Sequence, residues 1–466
     1  MSRPGSHDNP LRVAIIGAGP AGFYTAERLY KEKNLQVQVD MFDRLPTPFG
    51  LVRAGVAPDH QKIKSVTKVF DRVAAKPGFR FYGNIELGKD LSVAELQQYY
   101  HQIVYSTGAQ TDRTLNIPGI DLLNSHAATE FVAWYNGHPD YRHCQFDLSQ
   151  ESVAIIGVGN VAVDVARILC RTNEELAETD IADYALDALR HSQVKEVYML
   201  GRRGPAQAAF TPVEAKELGE MPGADVFVLP EEAELDELSQ ASLADADRGT
   251  TRNVEIVQEF AERPLAGKPR KLILRFMVSP VEVLGDEAGQ ITGLRIVKTE
   301  LYKTEAGTLR SRNTDQYEVL PVGLVFRSIG YRGVPLPDVP FNESWGVILN
   351  EGGRVIDSET QRPLPGQYVA GWIKRGPTGV IGTNKPDAAE TVEHMLEDLA
   401  DDALLQPAHP NAADFAAFIG ERQPQYFSFA DWQKLDEIEV AKGAKQGRPR
   451  VKFVTVEEML GALGKS

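Results

Sequence analysis

Apolar residues in this chain gather into short unbroken runs that stop abruptly at glycine. The run Leu11–Ile16 (LRVAII) meets Gly17, and the run Ser152–Ile156 (SVAII) meets Gly157. Such β-branched stretches, apolar without alternation, predict parallel strands buried on both faces. Residues 11–16 predict a strand, 20–31 a helix and 36–42 the next strand; 102–106, 194–200, 322–329 and 367–370 predict further strands, and 161–171 a helix. The strand at 102–106 closes at Gly108, that at 322–329 at Gly330, and that at 367–370 at Gly371-Trp372. Over 59–75, Ile63, Val66, Phe70 and Val73 recur at helical spacing, which predicts one amphipathic helix with Asp59 as its N-cap. Lys64, Lys68 and Arg72 then share its exposed side. Residues 231–252 are acidic and poor in apolar side chains, predicting a surface excursion, and Pro335–Pro340 marks another surface connection.

The repeated order of strand, glycine turn and helix predicts two separate nucleotide-binding units. In the first, Gly17-Ala18-Gly19-Pro20-Ala21-Gly22 fits G-x-G-x-x-G, whose small residues let backbone approach a pyrophosphate at a helix N-terminus. The next strand ends at Asp43, about the distance downstream at which an acid accepts hydrogen bonds from a ribose. That geometry suits FAD and NAD equally. A late segment, Gly371–Asn384 (GWIKRGPTGVIGTN), favours FAD: it precedes a helix beginning near Pro386, whose N-terminal end offers N–H groups and positive dipole to the carbonyl edge of a flavin. Trp372 supplies a broad aromatic surface beside such a ring.

The second turn, Gly157-Val158-Gly159-Asn160-Val161-Ala162, is a G-x-G-x-x-A variant, and its following strand ends in Arg202-Arg203 instead of an acid. A carboxylate there would accept from the free 2′-hydroxyl of NAD, whereas guanidinium groups grip the 2′-phosphate of NADP. NADPH is therefore expected in preference to NADH.

Composition narrows the alternatives. A chain of 466 residues is long enough for two or three domains, and 42% hydrophobic with 25% charged residues supports substantial cores. A formal charge of −15 argues against nonspecific nucleic-acid binding. No apolar stretch approaches the roughly 18–20 residues of a membrane span, and the polar start MSRPGSHDNP resembles neither a signal nor a transit peptide, so a cytoplasmic protein is expected. The two cysteines, Cys144 and Cys170, have no C-x-x-C or metal-ligand spacing. No metal site is expected, and neither a redox cysteine pair nor an iron–sulfur segment is present to support disulfide reductase or glutamate-synthase-type chemistry.

Longer motifs carry a resemblance. Gly17–Ala26 (GAGPAGFYTA), Pro48–His60 (PFGLVRAGVAPDH), Gly157–Arg167 (GVGNVAVDVAR), Gly201–Pro205 (GRRGP), Ala209–Thr211 with Glu214, Gly371–Ile381 (GWIKRGPTGVI) and Gly447–Arg450 (GRPR) resemble the adrenodoxin reductase family and its bacterial ferredoxin–NADP reductase relatives, from about residue 11 to the carboxyl end. The resemblance implies FAD contacts from Ala21, Asp43, Leu51, Leu87, Trp372, Gly379, Val380 and Ile381, joining Gly17, Gly19 and Gly22 of the turn. It implies NADP contacts from Gly159, Asn160, Val161, Arg202, Arg203, Glu214 and Gly379, joining Gly157. Asp43 stands where mitochondrial members commonly carry a longer glutamate, and their presequence has no counterpart here.

The expected architecture is α/β, with two Rossmann-like three-layer nucleotide-binding domains arranged as in glutathione reductase. The FAD domain is discontinuous, spanning 1–109 and 326–466 around an NADP domain at 110–325. The implied activity is hydride transfer between NADPH and N5 of non-covalently bound FAD, followed by single-electron transfer to a ferredoxin-type iron–sulfur protein. His60 and Glu214 are the candidate catalytic groups, and Lys64, Lys68 and Arg72 a candidate docking face for an acidic ferredoxin. Two other readings remain open at this point: a flavoprotein module that senses NADPH, or an NADPH-oxidising subunit of a larger electron-transfer complex.

Overall fold

The Leu11–Ile16 run forms an interior strand of a seven-stranded sheet. Leu11, Val13 and Ile15 pack on one face with Phe23, Ala26 and Leu29 of the Pro20–Tyr30 helix and Ala388, Val392 and Met395 of the Asn384–Ala400 helix. Ala14 and Ile16 pack on the other with Leu96, Tyr100 and Phe415. Because both faces are covered, the strand has no polar side, which is why its sequence does not alternate. In spatial order the strands are Asn350–Glu351, Arg354–Ile356, Pro363–Val369, Gln102–Tyr105, Leu11–Ile16, Val37–Asp43 and Phe79–Gly83, the last five parallel.

This computed structural model describes residues 3–465, so the extreme residues of the expected segments 1–109 and 326–466 lie outside the described residues. Two compact units make up the chain. The sheet just described belongs to the first, which comprises residues up to Val56, His60–Thr111 and those from Tyr331 onward. The second comprises Ala57–Asp59 and Asp112–Gly330.

The second unit is built on a six-stranded parallel sheet in the order Ser125–Ala127, Leu324–Arg327, Ser152–Ile156, Glu196–Leu200, Arg270–Arg275 and Ala224–Val228. One face carries the Asn160–Cys170 helix. The other is covered by an antiparallel meander, Val278–Gly285, Ile291–Lys303 and Leu309–Leu320, whose Val283, Leu294, Ile296 and Leu320 pack on Ala154, Ile156, Leu200 and Val325. Its three layers are thus helices, parallel sheet and antiparallel sheet.

One expectation needs correction. Residues 59–75 are not one helix but two, Gln61–Lys64 and Thr67–Ala74. Ser65 Oγ donates to the Lys62 carbonyl and Thr67 Oγ1 to the Lys64 carbonyl, so hydroxyls occupy acceptors that a continuous ladder would need. Phe70 and Val73 are buried as expected, but Ile63 is 41% exposed. Asp59 is not the N-cap residue of either helix, a place taken by His60 and Val66, and its carboxylate takes Arg167 Nη2 and Arg171 Nε, each at 2.6 Å. The acidic stretch 231–252 lies largely exposed at the surface, as expected, and is organised into short helices with a few anchored acids. Asp236 and Asp247 cap the Glu237–Leu243 and Arg248–Glu262 helices, and Glu232 is buried against Arg275.

Asp40, fully buried in the Val37–Asp43 strand, anchors the first sheet by accepting from Arg12 Nη2 at 2.8 Å, Arg80 Nε at 2.7 Å and the Tyr100 hydroxyl at 2.6 Å. Arg12 is itself almost wholly buried. Asp40→Asn leaves that guanidinium uncompensated and is expected to cost about 3–5 kcal/mol in equilibrium denaturation. A loss under about 1 kcal/mol, the size of a surface pair, would show that the network does not anchor the sheet.

Candidate cofactor-binding sites

In the first unit the chain lays Val37–Asp43 and Phe79–Gly83 on one side of Leu11–Ile16 and returns with Gln102–Tyr105 on the other. Where connections diverge in this way, a crevice opens at the carboxyl ends of the strands. Gly17 sits at that point with φ +109°, and a Cβ there would stand 2.5 Å from the Ser106 carbonyl oxygen. A Cβ on Gly22 would stand 2.3 Å from the Gly17 carbonyl oxygen, so its absence lets the helix settle onto the turn. Gly19 differs, with nothing within 4 Å of its missing Cβ and no side chain capping the helix it opens. Open space therefore faces uncapped amides at Ala21 and Gly22, a cradle that fits a pyrophosphate.

Neighbouring segments brace this cradle. Asp43 accepts from the Ala18 amide through Oδ2 and the Leu45 amide through Oδ1, both at 3.0 Å. Burial pushes its carboxyl above the usual range, against the pull of those two bonds. The Phe49 amide donates to the Ala18 carbonyl at 2.8 Å, and Gly50 lies so close that its Cβ would be 3.1 Å from Gly19 Cα. This sets Leu51, first residue of the Leu51–Ala54 helix, beside the glycine turn. Leu87 is buried in the core cluster that contains Ile16, and His60 is buried just ahead of the Gln61–Lys64 helix.

The late glycine segment reaches the same place. Gly371 has φ +81°, and a Cβ there would lie 2.5 Å from Ala21 Cβ, so the segment passes directly over the first turn of Pro20–Tyr30. Trp372 Nε1 donates to the Thr378 carbonyl at 3.2 Å, and its ring leans on Tyr331 with centroids 5.4 Å apart. Gly379 takes φ +77°, Val380 is exposed, and Ile381 opens the short turn Ile381–Thr383 ahead of the Asn384–Ala400 helix. Gly17, Gly19, Ala21, Gly22, Leu51 and the Trp372 segment thus gather at one end of one sheet, and these residues fit FAD.

The second unit repeats the arrangement. Gly157 has φ +135° with a would-be Cβ 2.1 Å from the Ser328 carbonyl oxygen, while Gly159 again has nothing within 4 Å and opens an uncapped helix, Asn160–Cys170. Asn160 Oδ1 accepts from the Thr211 amide at 2.8 Å, and the Ala209 amide donates to the Val158 carbonyl at 2.9 Å, which docks the 209–211 segment against the turn. Val161 is half-buried in the first turn of that helix. Arg202 is exposed and Arg203 half-buried just past the Glu196–Leu200 strand, and among the described residues no carboxylate pairs with either guanidinium. Burial, and then the charge of Arg202, lower the pKa of Arg203. The set fits a dinucleotide carrying an extra phosphate.

Glu214 is buried in the first turn of Pro212–Leu218, not solvated, and accepts from Arg167 Nη1 at 2.9 Å. Arg167 is completely buried and also pairs with Asp59 and Glu217. Sequence reading missed this arginine. Its signal was a lone Asp164/Arg167 pair inside an otherwise apolar helix, where charge is tolerated only with partners.

Residues 11–204 match the family Pyridine nucleotide-disulphide oxidoreductase. NADPH-ferredoxin reductase FprA of Mycobacterium leprae is 44% identical over 453 residues, covering 96% of this chain and 97% of that protein. Human mitochondrial NADPH:adrenodoxin oxidoreductase is 42% identical over 464 residues, covering 97% and 92%. A solved structure of Mycobacterium tuberculosis FprA in complex with NADPH superposes with a TM-score of 0.92 at 43% identity, covering 98% of this chain and all of that one. With identity of this size over nearly the full length of each relative, the chain belongs to the family of NADPH–ferredoxin and adrenodoxin reductases.

Proposed function

We propose that this chain is an NADPH:ferredoxin oxidoreductase that uses FAD to pass electrons from NADPH to a ferredoxin-type iron–sulfur protein. The observation that carries the reading is the pair of glycine turns at strand-order reversals, each facing open space, of which only the second adjoins two uncompensated arginines. FAD, when bound, supplies a ring that takes up an electron pair as hydride and gives it up as single electrons.

The residues of the chain bind and orient. Gly17, Gly19, Ala21 and Gly22 receive the FAD pyrophosphate, Asp43 holds the turn and meets the ribose, and Leu51, Leu87, Trp372, Gly379, Val380 and Ile381 border the remaining cofactor. Gly157, Gly159, Asn160 and Val161 receive the NADPH pyrophosphate, and Arg202 and Arg203 grip its 2′-phosphate. Glu214, paired with and oriented by Arg167, is available to the nicotinamide amide, and His60 to the flavin edge. The FAD domain then corresponds to 1–109 with 326–466 and the NADP domain to 110–325. No helix among the described residues is long and apolar enough to cross a membrane, and we infer that the reaction takes place in the cytoplasm.

For docking, Lys68 and Arg72 both lie exposed on the Thr67–Ala74 helix, four residues apart. Lys64 ends the preceding short helix and is only half exposed, so the acidic partner is expected to depend on Lys68 and Arg72 more than on Lys64.

The purified protein should be yellow, lose its visible flavin absorbance on addition of NADPH under nitrogen, and then reduce a ferredoxin, read through cytochrome c. Colourless protein that cannot be reconstituted with FAD sinks the reading. Arg202→Ala or Arg203→Ala should each lower kcat/KM for NADPH about tenfold to a hundredfold while leaving that for NADH nearly unchanged. Equal losses for both coenzymes would remove the 2′-phosphate assignment. Lys68→Glu with Arg72→Glu should slow ferredoxin-dependent turnover most at low salt and spare ferricyanide reduction; unaltered ferredoxin kinetics would dismiss that face.

A further inference from the structure

The Gly376–Thr383 loop, which carries three of the proposed FAD contacts, has few means of holding its own shape. Gly376, Gly379 and Gly382 interrupt it, and glycine gives up more conformational freedom on ordering than any other residue. Its own backbone bonds are few: the Thr378 amide donates to the Gly376 carbonyl and the Thr383 amide to the Val380 carbonyl. One side chain spans it. Arg375 Nη1 donates to the Thr378 carbonyl at 2.5 Å and to Thr378 Oγ1 at 3.0 Å, while Nη2 donates to Thr383 Oγ1 at 3.2 Å and to Asn384 Oδ1 at 3.1 Å. The two nitrogens of one planar group therefore fasten the two ends of the loop.

The bridge extends further at both ends. Thr383 Oγ1 donates a hydrogen bond to the Val380 carbonyl at 2.6 Å, and the space beside it is so tight that a Cβ on Gly379 would stand 2.5 Å from Thr383 Oγ1. The Thr378 carbonyl is shared with Trp372 Nε1, so the orientation of the indole depends on the same anchor. Arg375 Nε lies 3.4 Å from Asp387 Oδ1, and Asp387 Oδ2 accepts from the Gly371 amide at 2.5 Å. Gly371 is the residue that passes over Ala21 in the pyrophosphate cradle.

We propose that Arg375 is a positioning residue for FAD: its guanidinium shapes the Gly376–Thr383 loop and the Trp372 ring before the cofactor arrives. This rests on the FAD reading above. The fork is required, because a lysine ammonium at this place keeps the charge facing Asp387 but cannot reach Thr378 and Thr383 together.

The test titrates FAD into the FAD-free full-length protein, following quenching of flavin fluorescence, for wild type, Arg375→Lys and Arg375→Gln. Both variants are expected to bind FAD about tenfold or more weakly, to show an altered visible flavin spectrum at saturation, and to melt as wild type does when free of FAD. Arg375→Lys binding with wild-type affinity overturns the proposal, because charge alone would then suffice. A lowered melting temperature of the FAD-free variants that accounts for the lost affinity overturns it also, because Arg375 would then be a general strut. Should both variants fail to fold, Thr383→Val removes one end of the bridge without disturbing Asp387, and is expected to weaken FAD binding about threefold to tenfold; unchanged affinity overturns the proposal. Wild-type protein that takes up no FAD is a separate outcome, which removes the functional reading and not the role of Arg375 alone.

Discussion

A parallel strand can hand its chain to a helix beside a neighbouring strand only when no side chain fills the space between them. That constraint governs both units. Gly17 and Gly157 each occupy a left-sided conformation in which a methyl group would press to 2.5 Å and 2.1 Å from the next strand's backbone oxygen. Shifting backbone to relieve such an approach would pull the strand ends apart, and with them the uncapped helix start that faces the ligand. Gly19 and Gly159 answer a different need. Nothing in the protein crowds them, so their lack of a side chain is explained by what enters from outside.

Given two similar cradles, the charge at the end of the following strand separates them. Asp43 serves the first by bonding to the amide of Ala18, so this acid fastens the glycine turn to its strand as well as standing where a ribose is expected. Arg202 and Arg203 serve no comparable internal purpose: among the described residues their backbone carbonyls are engaged, by Thr299 Oγ1 and the Met277 amide, and their guanidinium groups are not. Two adjacent cations raise each other's energy until an anion arrives, so their repulsion would become affinity for the phosphate-bearing coenzyme proposed to bind there.

The glycine turns, their flanking elements and the Arg202-Arg203 pair were legible in sequence because each is a local pattern. The strand at Leu11–Ile16 and the helices at Pro20–Tyr30 and Asn160–Cys170 lie within a residue or two of where periodicity puts them. What escaped was long-range or hydroxyl-dependent. The 59–75 pattern has helical spacing, but Ser65 and Thr67 compete for the carbonyls that would continue it. Asp59 pairs with a residue 108 positions away, and Arg12 with one 28 positions away, separations at which no spacing rule operates. The antiparallel meander over the second sheet was likewise invisible, since its strands are long, mostly polar on one side and unrelated to the parallel pattern.

Those escaped contacts share a physical logic that returns to function. Asp40 with Arg12, Asp59 with Arg167, Glu232 with Arg275 and Glu439 with Arg53 are buried charges matched by opposite charge, because an unmatched charge in an apolar interior costs more than folding can supply. Other half-buried cations that no carboxylate meets, such as Arg270, are taken up by backbone carbonyls. Among the described residues the Arg203 guanidinium, beside Arg202, has neither kind of acceptor, and it stands where the strand order and the second glycine turn independently call for a ligand. Packing, backbone conformation and charge therefore converge on one place in the second unit, and an anion such as the 2′-phosphate proposed above is what that place is suited to receive.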